Sequence, residues 1–160
     1  MPLAALVLNL GCGHGVEVAG MVERGLRPVG LDPAFGMLTL ARQHLVGWLV
    51  QGDAARLPLH TASLDGVWSL HALLHVPDLT AALGEIARAL KPAVLAALTL
   101  SLGEGVTVEP VAYQPDVIRR FVHWKQEAAF EAVTAAHVDL LDYGVETDVR
   151  TTLWLLVRQR

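Results

Sequence analysis

Short apolar runs alternate along this chain with segments whose apolar residues recur at helical spacing. Leu3 to Leu10, Pro28 to Leu31, Trp48 to Val50, Asp65 to Leu70 and Val94 to Leu100 read as five strands. Uninterrupted apolar runs of this length suit strands covered on both faces. Val16 to Arg24, Gly36 to His44 and Leu79 to Leu90 read as the helices between them. The last carries Leu79, Leu83, Ile86, Ala87 and Leu90 on one face, and Pro92 stops it. Pro115 to Val133 predicts a longer helix, with Ile118, Phe121, Val122, Ala129 and Val133 on one side. Val138 to Tyr143 and Thr152 to Val157 read as late strands, and their short link, Gly144 to Asp148, predicts an antiparallel pair. Gly103 to Gln114 is the one irregular stretch. Strands joined by helical crossovers imply a doubly wound α/β domain with a mainly parallel sheet.

Composition supports that picture. The 160 residues suit one domain, residues 1–160, that buries about two-thirds of its unfolded surface. Hydrophobic residues reach 53%, above the usual range, in keeping with strands buried on both faces. The net charge of −4 comes with scattered basic residues, which argues against a nucleic-acid partner. A single cysteine excludes an intrachain disulfide and suits the reducing cytoplasm. Ala93 to Leu102 is too short to span a bilayer. Met1 to Leu8 lacks the basic start of a signal peptide and runs straight into a glycine-rich loop.

That loop, Gly11-Cys12-Gly13-His14-Gly15, carries the candidate chemistry. It follows a strand and precedes a helix, so its amides and the helix N-terminus would converge on one ligand. The second strand ends in Asp32, where a carboxylate suits a ribose diol. A dinucleotide fold wants G-x-G-x-x-G, but Val16 stands at the position of the last glycine. The spacing G-x-G-x-G fits S-adenosylmethionine (SAM) better.

Several phrases in order sharpen the reading: VLNLGCGHG, VGLDPAFGMLTLAR, VQGDAARLPLHTASLDGVWS, LLHVPDL and ALGEIARALKP. With these the chain resembles class I SAM-dependent methyltransferases, in particular the small-molecule type of ubiquinone and menaquinone biosynthesis, from about Leu6 to Leu100. The resemblance implies a Rossmann-like, doubly wound, mostly parallel seven-stranded sheet with an antiparallel C-terminal strand and helices on both faces. It implies that Gly11, Gly13 and Gly15, with Cys12 between them, hold the methionine part of SAM. Asp32, followed by Pro33, would take the ribose hydroxyls. Asp53 would accept from the adenine amino group, the amide of Ala54 would face the ring, and Met37 would pack near it. Ser69 and Leu70 would line the sulfonium side. The product would be S-adenosylhomocysteine (SAH), and the acceptor a small molecule.

Three departures from the family pattern stand out. Asn9 replaces the usual acid at the end of the first strand; it would still bind the cofactor, since an amide can hydrogen-bond, but it brings no negative charge. The helices that usually precede that strand and cover the cofactor are absent. The site is then open, is covered by a partner or a second copy, or belongs to a chain lacking its natural start. Finally, the usual K-P-G-G turn reads Lys91-Pro92-Ala93-Val94.

Other residues have plainer readings beside the functional ones. Gly11, Gly13 and Gly15 also suit a simple tight turn, Asp32 a helix cap, and Asp53 a turn. Asp65 opens a strand, at the end of the sheet away from ligands, and reads as structural. Cys12 reads as a small filler, and Trp48, Trp68, Trp124 and Trp154 as core or near-core. His71 and His75 lack the glutamate of H-E-x-x-H because Ala72 stands there, so no metal is expected. Near the methyl group, either imidazole could deprotonate or orient an acceptor. His14 reads as exposed, and Glu104 and Tyr113 as weaker acceptor-pocket candidates. His123, Lys125 and Glu127 would lie away from the site. The reading is therefore a SAM-dependent methyltransferase acting by in-line displacement. The alternatives are a non-catalytic methyltransferase-like scaffold, an enzyme completed by a partner subunit, and a nicotinamide-dependent oxidoreductase.

Overall fold

The computed structural model describes residues 4–45, 47–111 and 114–160. Leu3, the expected start of the first strand, and Tyr113 lie outside them. The chain runs β1 (Leu6–Leu10), α1 (Val16–Glu23), β2 (Arg27–Asp32), α2 (Phe35–Ala41), β3 (Trp48–Gln51) and β4 (Gly66–Ser69). A 3-10 turn (Leu73–His75) leads to α3 (Leu79–Ala89) and β5 (Leu95–Leu102). Then come β6 (Gly105–Val111), β7 (Gln114–Trp124), α4 (Gln126–Ala135), β8 (Val138–Thr147) and β9 (Thr151–Gln159).

The parallel half of the sheet has the order β3-β2-β1-β4-β5. β1 is its axis, pairing with β2 from Leu6–Arg27 to Leu10–Leu31 and with β4 from Val7–Gly66 to Asn9–Trp68. Because side chains alternate across a strand, the sheet feeds two cores. Leu8, Leu10, Val29 and Leu31 join a large cluster with Leu79, Leu83 and Ile86 of α3 and Ala129, Ala132 and Val133 of α4. Cys12, Val18 of α1 and Leu38 of α2 form a second cluster, to which Leu49 of β3 adds. Helices therefore cover both faces, as expected. Helix α3 starts where the Asp78 side chain accepts from the Ala81 N–H at 2.9 Å, an N-cap.

The second half departs from expectation. Among the described residues the sheet has nine strands rather than seven. The irregular stretch contains β6, and the helix expected over Pro115 to Val133 is strand β7 followed by α4. β6 and β7 form an antiparallel hairpin, in register from Gly105–His123 to Pro110–Ile118. Apolar residues at 118, 121 and 122 fit a helical face, but the segment is also rich in the β-branched and aromatic types that suit strands. Pairing across the hairpin overrides the local period. The outcome shows in exposure: Ile118 is 66% exposed, whereas Phe121 and Val122 are buried.

One edge of β5 pairs parallel with β4, and the other edge serves two partners. Leu95 to Ser101 pair antiparallel with β9, while Ser101 and Leu102 also pair parallel with His123 and Trp124 of β7. The hairpin is thus mounted at the carboxyl end of β5. β8 and β9 form the expected antiparallel pair, but β8 runs through Gly144 to Thr147, so the turn lies beyond it rather than at 144–148. Two tryptophans also differ from expectation. Trp48 is 60% exposed on edge strand β3, with the Arg27 guanidinium 5.6 Å from its ring, and Trp68 is 38% exposed. Trp124 and Trp154 are half-buried.

Asp65 is structural, as expected. It accepts from the Leu6 N–H at 2.9 Å and from Lys91 Nζ at 2.6 Å, tying β1 to the strand-4 entry and the end of α3. Lys91 foremost, then the Leu6 amide, hold its carboxyl below the usual range. The glycine-free turn after α3 is built with Ala93 at φ +62°. A side chain in that region costs about 1–2 kcal/mol. Ala93 is exposed and its N–H donates to the Gln159 carbonyl, a bond that glycine keeps. Ala93→Gly is expected to raise stability by about 0.5–1 kcal/mol after the entropy of the unfolded chain is counted. Urea denaturation checks this; an unchanged or lower midpoint would refute the strain.

Candidate active site

A cavity of about 640 Å³ opens beyond the carboxyl ends of β1, β2 and β4. Open α/β sheets bind ligands there, and the volume suits a small-molecule site. Its floor is the glycine loop. The Gly11 and Cys12 N–H groups both donate to the Leu31 carbonyl, at 2.7 and 3.0 Å. Gly11 sits at φ +79°, and a Cβ there would lie 2.1 Å from the Ala72 side chain. Only glycine lets this loop meet the segment after β4.

Asp32, at the end of β2 and 8% exposed, ties the loop to the next helix. Its Oδ2 accepts from the Gly13 N–H at 2.9 Å and its Oδ1 from the Ala34 N–H at 2.8 Å. A carboxylate has about four lone-pair sites, so each oxygen keeps capacity for a ligand hydroxyl. The structural reading of Asp32 thus holds, and the same group has room for the binding one.

The cavity gathers most of the expected residues. Gly11, Cys12, Gly13, Asp32, Pro33, Met37, Asp53, Ala54, Leu70, His71 and His75 all line it. Asp53 holds its own turn, its Oδ1 accepting from the Ala55 N–H at 2.9 Å, and still faces the cavity beside Ala54. Cys12 is buried, and burial, reinforced by the charge of Asp32, pushes its thiol up to about 12. That excludes a nucleophilic thiolate at neutral pH.

Three expected residues do not line the cavity. Gly15 caps α1 at φ +89°, with its N–H donating to the Cys12 carbonyl at 2.9 Å. Ser69 is fully buried and its hydroxyl donates to the Leu10 carbonyl, joining β4 to β1. Asn9 is also fully buried; its Nδ2 donates to Glu17 Oε2 at 3.2 Å, and its Oδ1 has no partner among the described residues. Glu17, in the first turn of α1, does line the cavity.

The segment after β4 forms the opposite wall. His71 is held at φ +54°, an uncommon conformation for a non-glycine residue. Its N–H donates to Thr99 Oγ1 at 2.8 Å. His75 Nδ1 lies 2.8 Å from the Arg120 carbonyl. A carbonyl only accepts, so Nδ1 carries the proton and Nε2 keeps the lone pair. The ring packs 5.0 Å from Phe121. Burial above all, and the charges of Arg119 and Arg150, hold the imidazole below its ordinary 6.5, against the opposing pull of the Arg120 carbonyl. His75 is neutral at pH 7.

The hairpin adds a residue that sequence reasoning missed. Arg119 lines the cavity, the one lysine or arginine among the described lining residues. Its cross-strand neighbour Glu109 is paired with Arg150, whose guanidinium stacks 3.7 Å from the Phe121 ring centre. The signal was the alternation of Val117, Arg119 and Phe121, hidden by the helical reading. Glu104 does not line the cavity and pairs with Lys125 at 3.0 Å. His123, between the Ser101 and Thr107 hydroxyls, also lies off the cavity, as do Lys125 and Glu127. His14 is exposed at its rim.

Acids at the ends of β2 and β3, an apolar Met37 and a glycine loop with open space at Gly13 fit an adenosine-bearing cofactor. The fold and this site define a class I SAM-dependent methyltransferase domain. Residues 8–98 match the family described as "Methyltransferase domain", and the chain belongs to that family, whose cofactor here is SAM. It is 43% identical over 98 residues to a malonyl-[acyl-carrier protein] O-methyltransferase of a Methylovorus species, covering 54% of this chain and 33% of that protein. It is 33% identical over 150 residues to a demethylmenaquinone methyltransferase of Lactiplantibacillus plantarum, covering 83% and 63%. This chain therefore spans less than two-thirds of the length of either relative. Among solved structures, a SAM-dependent methyltransferase of Methanosarcina mazei shares the fold, with a TM-score of 0.83, 16% identity and coverage of 99% and 94%.

The two amide bonds of Asp32 can be tested directly. Asp32→Asn presents an amide NH2 to one of the two backbone N–H groups. Loss of that bond is expected to lower the stability of the ligand-free protein by about 1–3 kcal/mol. Denaturant unfolding measures it, and an unchanged midpoint would refute the tie.

Proposed function

We propose that this domain, read as a single unit over residues 1–160, transfers the methyl group of SAM to a small-molecule acceptor. The observation that carries the reading is one cavity with two unlike walls. Asp32, Asp53, the Ala54 amide, Pro33 and Met37 would hold the nucleoside, and Gly11, Cys12 and Gly13 the amino-acid part. Leu70 lies toward the His71–His75 wall, where the acceptor would enter. When bound, SAM supplies a methyl group on a sulfonium, which is already a good leaving group. The protein then mainly aligns donor and acceptor, an effect worth up to about 7–11 kcal/mol in model systems.

His75 is the better of the two histidines for moving a proton. Its Nδ1–H is engaged by the Arg120 carbonyl, so Nε2 is the base. An acceptor hydroxyl or amine would give its proton to that atom. His71, held by its strained backbone rather than by its ring, would orient the acceptor instead. In such a reaction the rate is lost as pH falls through the His75 pKa, which lies below 6.5.

Titration calorimetry tests the binding claim. SAM and SAH should each bind one site per chain, and NAD should not. No heat from either ligand at millimolar concentration would refute the reading, and NAD binding would favour the oxidoreductase. For the base, His75→Gln is expected to lower kcat about 100-fold or more and to abolish the acidic limb of the rate profile. SAH affinity should not change. An unaltered pH profile would remove His75 from proton transfer.

A second reading, an enzyme completed by another subunit or a second copy, is favoured by the hairpin. Val106, Val108 and Ile118 expose 58%, 69% and 66% of their surface on one of its faces. The same proposal places the chain in the cytoplasm, where its buried free Cys12 needs no partner. Among the described residues no helix is long and apolar enough to cross a membrane.

A further inference from the structure

Asn9 leaves a gap in the charge of the site that Glu17 is placed to fill. Near the end of β1 the Asn9 amide, at a position where the family resemblance implies an acid, is wholly buried. It does not reach the cavity surface, whereas Glu17, one strand-to-helix turn later, does. The Asn9 Nδ2–H holds Glu17 Oε2 at 3.2 Å, and no other hydrogen bond engages the Glu17 side chain among the described residues. Glu17 Oε1 is therefore left for a ligand. The buried Asn9 Oδ1 lacks a partner in the same place.

The other two cavity carboxylates are committed differently. Both Asp32 oxygens take backbone amides, and Asp53 Oδ1 takes another. Among the described lining carboxylates, only Glu17 is oriented by a side chain and free of the backbone. We propose that Glu17 provides the carboxylate that binds the ammonium group of the cofactor's amino-acid moiety, with Asn9 as the residue that positions it. The inference rests on the SAM site proposed above. An aspartate at position 9 would bring a second carboxylate within hydrogen-bond distance of Glu17. Two such groups cannot both stay ionised there at little cost. The amide at position 9 instead lets Glu17 keep its charge and fixes its direction. A glutamate in the first turn of a helix also interacts favourably with the helix dipole. That structural role would not depend on the ligand's amino group, which gives the means to separate the two.

The test is calorimetry with SAH and with its deaminated analogue, which lacks only the amino group. In the wild type the analogue should bind more weakly than SAH. Glu17→Gln should weaken SAH about tenfold or more, as for a hydrogen bond between charged groups. It should change the analogue less than twofold, since the partner of the lost charge is already gone. Equal loss for both ligands in E17Q would assign Glu17 a purely structural role and overturn the proposal, as would SAH binding at wild-type strength. A wild type that binds neither ligand would overturn the SAM site itself. A wild type that binds both, with E17Q unchanged, would overturn only Glu17.

Discussion

The Asp32 carboxylate is the constraint on which the site depends. It stands at the end of β2 and grips two backbone amides that belong to different segments, Gly13 of the glycine loop and Ala34 before α2. Just before it, the Leu31 carbonyl takes the amides of Gly11 and Cys12. Four amides of two loops are thus satisfied by two consecutive residues of one strand. Buried backbone groups must find partners, and here the partners also set where the cavity floor lies. The position of β2 follows from its parallel register with β1. Register, loop and binding surface are therefore one connected problem, solved by a single acid with lone pairs to spare.

The same economy shapes the far wall. β5 is split between β9 along most of its length and β7 at its carboxyl end. That split lets the β6–β7 hairpin project beside the 3-10 turn without breaking the main sheet. Leu74 packs with Val111 and Phe121 in a small separate core, so the turn and the hairpin support one another. His75 takes its tautomer from a hairpin carbonyl and its neutral state from burial there. A residue on one loop has its chemistry set by a strand about 45 positions away in the chain.

The parallel half of the fold was legible because its signals are local. Apolar runs at β1, β2 and β5 and the face of α3 have a period that nothing nearby contradicts. The glycine loop and Asp32 are legible for a similar reason, since a strand end, a turn and a helix start are read from adjacent residues. The hairpin was not legible. Residues 118, 121 and 122 satisfy the helical period by coincidence, and the choice between states is made by pairing with β6, which local spacing does not encode. Arg119 was lost with it. Ser69 and Gly15 show a subtler limit. Both lie next to lining residues in sequence, yet alternation across β4 turns Ser69 inward to Leu10, and Gly15 serves the start of α1.

Seen as charge, the cavity is divided. Glu17, Asp32 and Asp53 lie along the side built from β1, β2 and β3, and Arg119 lies on the side built from the hairpin. SAM carries a positive sulfonium, so an acidic side favours it electrostatically, while a cationic imidazole near it would be disfavoured. Burial and the neighbouring arginines already bias His75 to its neutral form. The cost of a positive charge at that ring therefore rises further with a cationic ligand in the same low-dielectric space. In the proposed reaction, the arrangement that keeps the His75 imidazole neutral is also the one that avoids repulsion with the methyl donor. One electrostatic division would thus serve both the proposed cofactor binding and the proposed proton transfer, and it depends on a hairpin placed where β5 changes partners.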